Sequence, residues 1–360
     1  MKKFFGILSL ILFAVGVVFW QNDLFLVKTT ILTFMNLTPG TVLVGLAMAG
    51  VAAPFPTDNR LVSVVVAYKN AKLIADEVAP RVPAGTKAFK YKKYAKEDSF
   101  TIPDTSVGRT SKPNVVNFGF EEVDSSCSDH ALDGLVPQDD IDNAPDGYDP
   151  EAHQAESVRD LILLDREKRV ADLVFATSSY AATNRKALEG TAQFSHASSD
   201  PLKTVLEALD VPIMRPNIMV FGQSVWTKFR QHAKIVKATH GNSGDAGVAA
   251  RQAVAELLEV DEILVGEGWY NPGKKGQTVS VQRMWGNYLA LLYRDKLATL
   301  NGDRITFAMT AQFGHPGAGS ISDPDIGAKG GKRVRVWEQV KELVTANDLG
   351  YLFSDVIAIA

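Results

Sequence analysis

Between Pro150 and Gly190 the chain contains neither proline nor glycine, and this uninterrupted run constrains the fold more than any other stretch. Asp149 is well placed as an N-cap, and Pro150 fits the first helical position, where its missing N–H costs nothing. Glu151 and Glu156 fall near the positive end of the helix dipole. The expected helix covers residues 149–181, about nine turns. Val158, Leu161, Ile162, Val170, Leu173 and Val174 recur at helical spacing. The middle, Asp165-Arg166-Glu167-Lys168-Arg169, is fully charged and has to be solvated or paired. Such a helix is too long and too charged to be buried all round. It reads as a spine lying across a sheet, with one face free for a neighbour.

A chain of 360 residues is long enough for two or three domains around a sizeable core. Its formal net charge of −3 argues against coating nucleic acid through bulk positive charge. The single cysteine, Cys127, excludes an internal disulfide and a cysteine-based zinc site. His130 stands three positions away, but that separation does not make a catalytic pair, and Cys127 reads as a spectator thiol.

The first 53 residues differ from the rest. Met1-Lys2-Lys3 precedes an apolar run from Phe4 to Trp20, which taken alone is a signal peptide or a membrane helix. A second apolar run, Thr41 to Ala53, is short for a bilayer span. A packed hydrophobic arm and an upstream extension outside the working protein are the other readings of residues 1–53. After Pro54-Phe55-Pro56 the composition becomes that of a soluble domain. Arg60 to Val78 is helical in spacing and ends at Pro80. Gly85 to Val123 has the character of a long hairpin, with Phe89, Tyr91, Tyr94, Phe100 and Ile102 among lysines. It has too little apolar surface to fold alone.

Charge inverts along this region. Residues 81–112 carry eight Lys/Arg against three Asp/Glu, whereas residues 121–151 carry eleven Asp/Glu and no Lys/Arg. A basic arm (Lys87, Lys90, Lys92, Lys93, Lys96) and an acidic belt (Asp139, Asp140, Asp142, Asp146) in one chain would attract each other between copies. Solvated loops are the plainer reading of the same pattern.

After the spine, Ser199-Asp200-Pro201 opens a short helix through Leu209. A small mixed α/β unit follows: a buried strand at 217–221, a helix capped by Ser224, another helix at 247–258 and a strand at 263–265. The remainder reads as strands at 288–293, 305–310, 332–337 and 351–359, with a glycine-rich loop at 314–331. No site chemistry emerges. Gly268 to Lys275 nearly matches a phosphate loop, but Lys275 replaces the magnesium-holding Ser/Thr, and Pro272 removes a needed N–H. Asp142 to His153 is similar to a calcium loop, but Ala144 holds a ligand position and His153 stands where a bidentate Glu belongs. The histidines at 130, 153, 196, 232, 240 and 315 show no metal spacing, and there is no Gly-x-Ser-x-Gly elbow. We expect no catalytic site, cofactor or metal.

The order of segments from about Arg60 onward resembles the major capsid proteins of tailed bacteriophages, with the Hong Kong 97-type capsid fold. The resemblance rests on Ile74-Ala-Asp-Glu-Val-Ala-Pro80-Arg-Val-Pro83 running into Phe89-Lys-Tyr91, and on Leu132-Asp-Gly-Leu-Val-Pro137. It continues through Asp142-Asn-Ala144, Leu163-Leu-Asp-Arg-Glu-Lys-Arg169-Val-Ala171, Ser199-Asp200-Pro201, Arg215-Pro-Asn217, Val265-Gly266 and Met284-Trp285-Gly286. It implies a mixed α/β (α+β) fold with an N-terminal arm at 54–84 and an extended hairpin at 85–123 that overlaps a neighbouring subunit. A peripheral domain would hold the spine (124–200), an axial domain would span 201–293, and 294–360 would return as peripheral strands. The implied function is self-assembly into pentamers and hexamers of an icosahedral head around double-stranded DNA, with scaffolding, portal or decoration proteins as further partners. Assembly in the host cytoplasm follows from that. A compartment shell of the encapsulin kind and a membrane-anchored protein are the alternatives. The hydrophobic residues 1–53 have no counterpart in the family pattern.

Overall fold

A computed structural model describes residues 55–70, 72–94, 102–115, 120–241, 247–273, 276–301 and 304–358. The hydrophobic extension at 1–53 and Lys96 lie outside the described residues. In chain order the elements are α1 (Asn59–Ala67), α2 (Ala75–Val78), β1 (Arg81–Ala84), β2 (Ala88–Tyr94), β3 (Phe120–Ser126), β4 (Ser128–Pro137) and α3 (Gln138–Asp142). The spine α4 (Pro150–Phe175) comes next, then β5 (Arg185–Ala187), α5 (Pro201–Leu209), β6 (Ile218–Gly222), α6 (Gln223–Gln231), α7 (Ala233–His240) and α8 (Arg251–Leu258). The last third holds β7 (Glu262–Gly266), β8 (Trp269–Tyr270), β9 (Gln282–Arg283), β10 (Leu289–Leu292), β11 (Ala308–Phe313), β12 (Gly317–Asp323), β13 (Gly331–Val344) and β14 (Gly350–Ser354).

The spine starts where its cap dictates. One Asp149 carboxylate oxygen accepts from the backbone N–H groups of Glu151 and Ala152 at 3.1 and 3.2 Å. It stops at Phe175, earlier than the expected 181, although no proline or glycine intervenes. Ala176 turns extended, and Ser179 donates its hydroxyl to the Leu173 carbonyl at 2.7 Å, closing the helix end from outside. Thr177–Ser179 forms a single 3-10 turn. Hydroxyl side chains bonding nearby backbone groups therefore end this helix.

Two five-stranded sheets frame the spine. In the first, the fourteen-residue β13 is the axis. One edge pairs with β12 through residues 331–337 and then with β11 through 340–344, while the other pairs with β4 through 331–340. β1 adds in parallel to β11. The N-terminal half of the spine and α1 cover one face, burying Leu61, Val65, Ala155, Val158, Ile162, Val334 and Val336 together. Residues 55–84 thus lie against their own spine and sheet.

The second sheet runs β5-β14-β10-β6-β7. Both of its faces are covered, so β6, β7 and β10 read as continuous apolar runs instead of alternating ones. Met219, Phe221, Leu289 and Leu291 point into a cluster with Val205, Trp226, Phe229 and Leu258 from the flanking helices. Their neighbours Ile218, Val220, Ala290 and Leu292 point the other way, onto Val170, Val174, Phe175 and Trp285. The period-two alternation of strands sends successive residues into two separate cores. β14 lies in this second sheet, between β5 and β10, and so departs from the expectation that all of 294–360 returns to the spine's sheet.

The stretch read as a glycine-rich loop at 314–331 contains strand β12. Its glycines are required by closeness, not by turning. A Cβ on Gly317 would meet the Trp337 ring at 2.2 Å, and one on Gly319 would meet the Pro56 carbonyl oxygen at 1.8 Å.

Candidate inter-subunit surfaces

The hairpin is built on alternation. Phe89 and Tyr91 turn inward from β2 and bury against Val82, Cys127, Met309, Ala311 and Leu343. Lys90 and Lys92 turn outward, opposite Asp124 and Glu122 of β3. Lys90 donates to Glu122 at 3.1 Å, and Lys87, just before β2, donates to Asp129 at 2.5 Å. The basic strand is therefore matched first by its own return strand. A cleft of about 450 Å³ opens beside Tyr91, Lys92 and Lys93, against the end of the spine at Leu173 and Ser179 and against residues 344–349.

Beyond the anchored base, residues 102–115 form no regular structure and are exposed throughout. Ile102 and Val115 are each 93% exposed, and Val107 is 48% exposed. Apolar side chains this far in water gain nothing from their own chain.

The acidic set sits elsewhere. Asp139, Asp140 and Asp142 are on α3, and Asp146 is in the turn before the spine; all four are exposed. Asp139 accepts from Lys329 at 2.5 Å, and Asp142 accepts from Gln138 at 2.8 Å. The arm lysines and these aspartates thus occupy different elements of one chain.

The charged middle of the spine meets the paired half of its sequence reading, with Arg166 and Glu167 buried instead of solvated. Arg166 and Glu167 are 1% and 0% exposed. Arg166 donates to Asp76 of α2, to Thr310 Oγ1 at 3.0 Å and to the Ala79 carbonyl at 3.4 Å. Asp76 also accepts from Arg81 at 2.7 Å, and Arg81 reaches Glu338 of β13 at 3.0 Å. Arg159, about two spine turns before Arg166, donates to the same Glu338 oxygen at 2.8 Å. Burial would raise the Glu338 carboxyl, but Arg81, Arg159 and Arg166 outweigh it and hold it below the usual carboxylate range. Asp76, whose side chain is half exposed, is also held below its ordinary value, its partial desolvation outweighed by Arg166 and Arg81. Glu167 goes the other direction. Burial raises it, although it accepts from Ile74 N at 3.0 Å, Ala75 N at 2.7 Å and Trp285 Nε1 at 2.6 Å. The signal in the sequence was the line Ala155-Arg159-Ile162-Arg166-Val170, which places two arginines on the apolar stripe itself.

Among the described residues no group of His, Cys, Asp and Glu could hold a metal ion. None of their helices is long and apolar enough to cross a membrane.

No family model matches the chain. The major capsid protein of Pseudomonas phage JBD67 is 51% identical over 307 residues, which cover 85% of this chain and 99% of that protein. The major capsid protein of Burkholderia phage BcepMu is 29% identical over 241 residues, 66% of this chain and 76% of that protein. Among solved structures, a phage-related protein from Bordetella bronchiseptica RB50 superposes with a TM-score of 0.67 at 22% identity, covering 84% of this chain and 98% of that one. The capsid of cyanophage P-SCSP1u superposes with a TM-score of 0.51 at 12% identity, covering 89% and 98%.

Proposed function

The chain belongs to the family of phage major capsid proteins, and we propose that copies of it close an icosahedral head around double-stranded DNA through the anchored hairpin. The fold is of the Hong Kong 97 type, and the protein is a structural component of the virion capsid. The observation that carries the proposal is the match over nearly the whole length of a phage capsid protein. The hairpin supports it physically. Its base is fixed by Phe89 and Tyr91, while Ile102 and Val115 stand almost fully in water. Covering one such side chain is worth about 1.5–3 kcal/mol, which an isolated subunit forgoes.

In this reading the second sheet with α5 to α8 is the axial domain near the centre of a pentamer or hexamer. The spine with the first sheet is the peripheral domain, and the hairpin overlaps a neighbour. Lys87, Lys90, Lys92, Lys93 and Lys96 would face Asp139, Asp140, Asp142 and Asp146 of another copy. Scaffolding, portal and decoration proteins would be further partners, and the shell would assemble in the host cytoplasm. No catalysis is proposed. Both curated relatives are phage capsid proteins, which favours a head over an enzyme-enclosing compartment.

Negative-stain microscopy of the purified protein tests the proposal. Closed shells, tubes or ring-shaped capsomers are expected. A monodisperse monomer that persists at high concentration, with and without phage partner proteins, would overturn it.

A further inference from the structure

We propose that the surface formed by α6, α7 and the start of α8 binds the phosphate backbone of double-stranded DNA without regard to sequence. The inference rests on the capsid reading, which puts a DNA-filled head around this chain, and it names the part of the chain that touches the DNA.

Between Val211 and Arg251 there are six Lys/Arg and a single acid, Asp245. Two of the cations are already engaged: Arg215 with Asp210 and Glu259, and Lys234 with Asp200. The other four, Lys228, Arg230, Lys237 and Arg251, make no ion pair among the described residues. Cations packed inside the fold, such as Arg81, Arg159, Arg166 and Arg294, are matched by carboxylates, whereas exposed ones elsewhere, such as Lys69, Lys72, Lys186 and Lys341, are as unpaired among the described residues as these four. Lys228, Lys237 and Arg251 are exposed, and Arg230 is half-buried.

The fold brings these four onto adjoining segments. The Ala249 N–H donates to the Arg230 carbonyl at 2.9 Å, which lays the start of α8 beside the end of α6. The Arg251 guanidinium carbon lies 6.0 Å from the centre of the Trp226 ring on α6. Ile235 and Val236 of α7 are buried, the former in the cluster that also holds Phe229 of α6 and Val254 of α8. The helix dipole accounts for a cation in the last turn of α6 or α7. It does not account for Arg251, which is the first residue of α8, where a positive charge is disfavoured. Nor does it account for the near absence of acids over the whole stretch. Four unpaired cations, three of them exposed and one, Arg251, at a helix end of the wrong sign, suit a polyanionic partner, since each phosphate neutralised releases a condensed counterion.

The test uses the unassembled full-length protein, a 30-base-pair duplex of random sequence as probe, and a series of NaCl concentrations. Four phosphate contacts give a slope of log affinity against log salt of about −3.6. The variant K228Q/R230Q/K237Q/R251Q should lose nearly all of that slope while still forming shells in the microscope. K228Q/K237Q, which leaves the half-buried Arg230 and the Trp226 neighbour untouched, should lose about half of it. K69Q/K72Q removes the same charge from exposed positions elsewhere and should lose none. Absence of duplex binding by the parent protein overturns the proposal, and so does an unchanged slope in both test variants. If the test variants keep the slope but no longer assemble, the face contacts a second copy and the DNA assignment is wrong. Failure of the parent protein to form shells counts against the capsid reading, and it is read separately from the slope.

Discussion

Replacing Glu338 with glutamine removes one charge and almost no volume from the middle of the structure. The Glu338 carboxylate is fully buried and sits between Arg159 and Arg81, whose side chains are 5% and 21% exposed. Both donate to the same oxygen, at 2.8 and 3.0 Å. The glutamine oxygen can take the shared acceptor position, since the other Glu338 oxygen has no hydrogen-bond partner, but Arg159 is left without a counter-charge while Arg81 keeps only Asp76. Breaking a buried pair by removing one partner costs about 3–5 kcal/mol, because the remaining charge has no water to turn to. At about 2 °C per kcal/mol for a domain of this size, Tm should fall by roughly 6–10 °C. The control is Asp139→Asn, whose partner Lys329 is exposed; its loss should cost about 0–1 kcal/mol. The assay is thermal unfolding of unassembled subunits followed by circular dichroism. The pH dependence provides a second reading. Glu338 and Asp76 titrate below their ordinary values of 4.5 and 3.8 when folded, so their stabilisation is present above those values and is lost as pH falls through the folded ones. Glu167 opposes them. Its raised value gives a contribution fully present below 4.5 and lost as pH rises through the folded value. The Glu338→Gln variant should therefore show a shallower loss of stability below about pH 4.5 than the parent. A Tm shift no larger than that of Asp139→Asn, with an unchanged acid limb, would refute the claim that this network is paired and dry.

Ile102→Asp combined with Val115→Asp should leave Tm within about 1 °C, because both positions are exposed, and should abolish shells seen by microscopy; normal shells would sink the overlap role of the hairpin. Reversing Lys87, Lys90, Lys92 and Lys93 to Glu together should slow assembly measured by light scattering at low salt, and the deficit should shrink as salt screens the charges. An equal deficit at every ionic strength would mean that the change acts through the hairpin's own Lys87–Asp129 and Lys90–Glu122 pairs. Gly222→Ala should yield mostly insoluble protein, since its Cβ would lie 2.0 Å from the Gly286 carbonyl oxygen and 2.1 Å from that of Trp285; a soluble variant with parental Tm would show that this close approach relaxes freely.

Where local signals and burial agreed, the sequence could be read. Asp149-Pro150 and Asp200-Pro201 start their helices as caps with proline at the first turn. The apolar runs at 218–221, 263–265 and 289–292 are buried strands. What could not be read depends on contacts distant in sequence. β12 looked like a loop because its glycines answer to Trp337 and Pro56, which no local window contains. β4 was hidden in the acidic belt, because its partner is β13, some 200 residues away. The charged spine centre had to be solvated or paired, and the sequence did not decide between them, because its partners Asp76, Thr310, Glu338 and Trp285 arrive from four separate segments. The interface candidates were legible only as charge, since a single chain cannot show what its neighbour covers.

The pairing within the chain nonetheless narrows those candidates. Much of the acidic belt is already engaged: Glu122 and Asp124 with Lys90, Asp129 with Lys87, Asp133 with Arg335 and Arg333, Asp139 with Lys329, Asp149 and Glu151 with Arg60. Asp140, Asp142 and Asp146 remain exposed without an ion pair among the described residues. A neighbour that used Asp139 would first have to displace Lys329, gaining little, because an exposed exchange of partners is close to neutral. The same holds for Lys87 and Lys90 on the arm. Attraction between copies therefore falls on the three unpaired aspartates and, among the described arm lysines, on Lys93. Each such pair is worth about 0–1 kcal/mol, so charge can steer approach and set register but cannot hold the shell. The holding force has to come from apolar surface that the subunit leaves uncovered, and Ile102 and Val115 on the same arm are the most exposed of it.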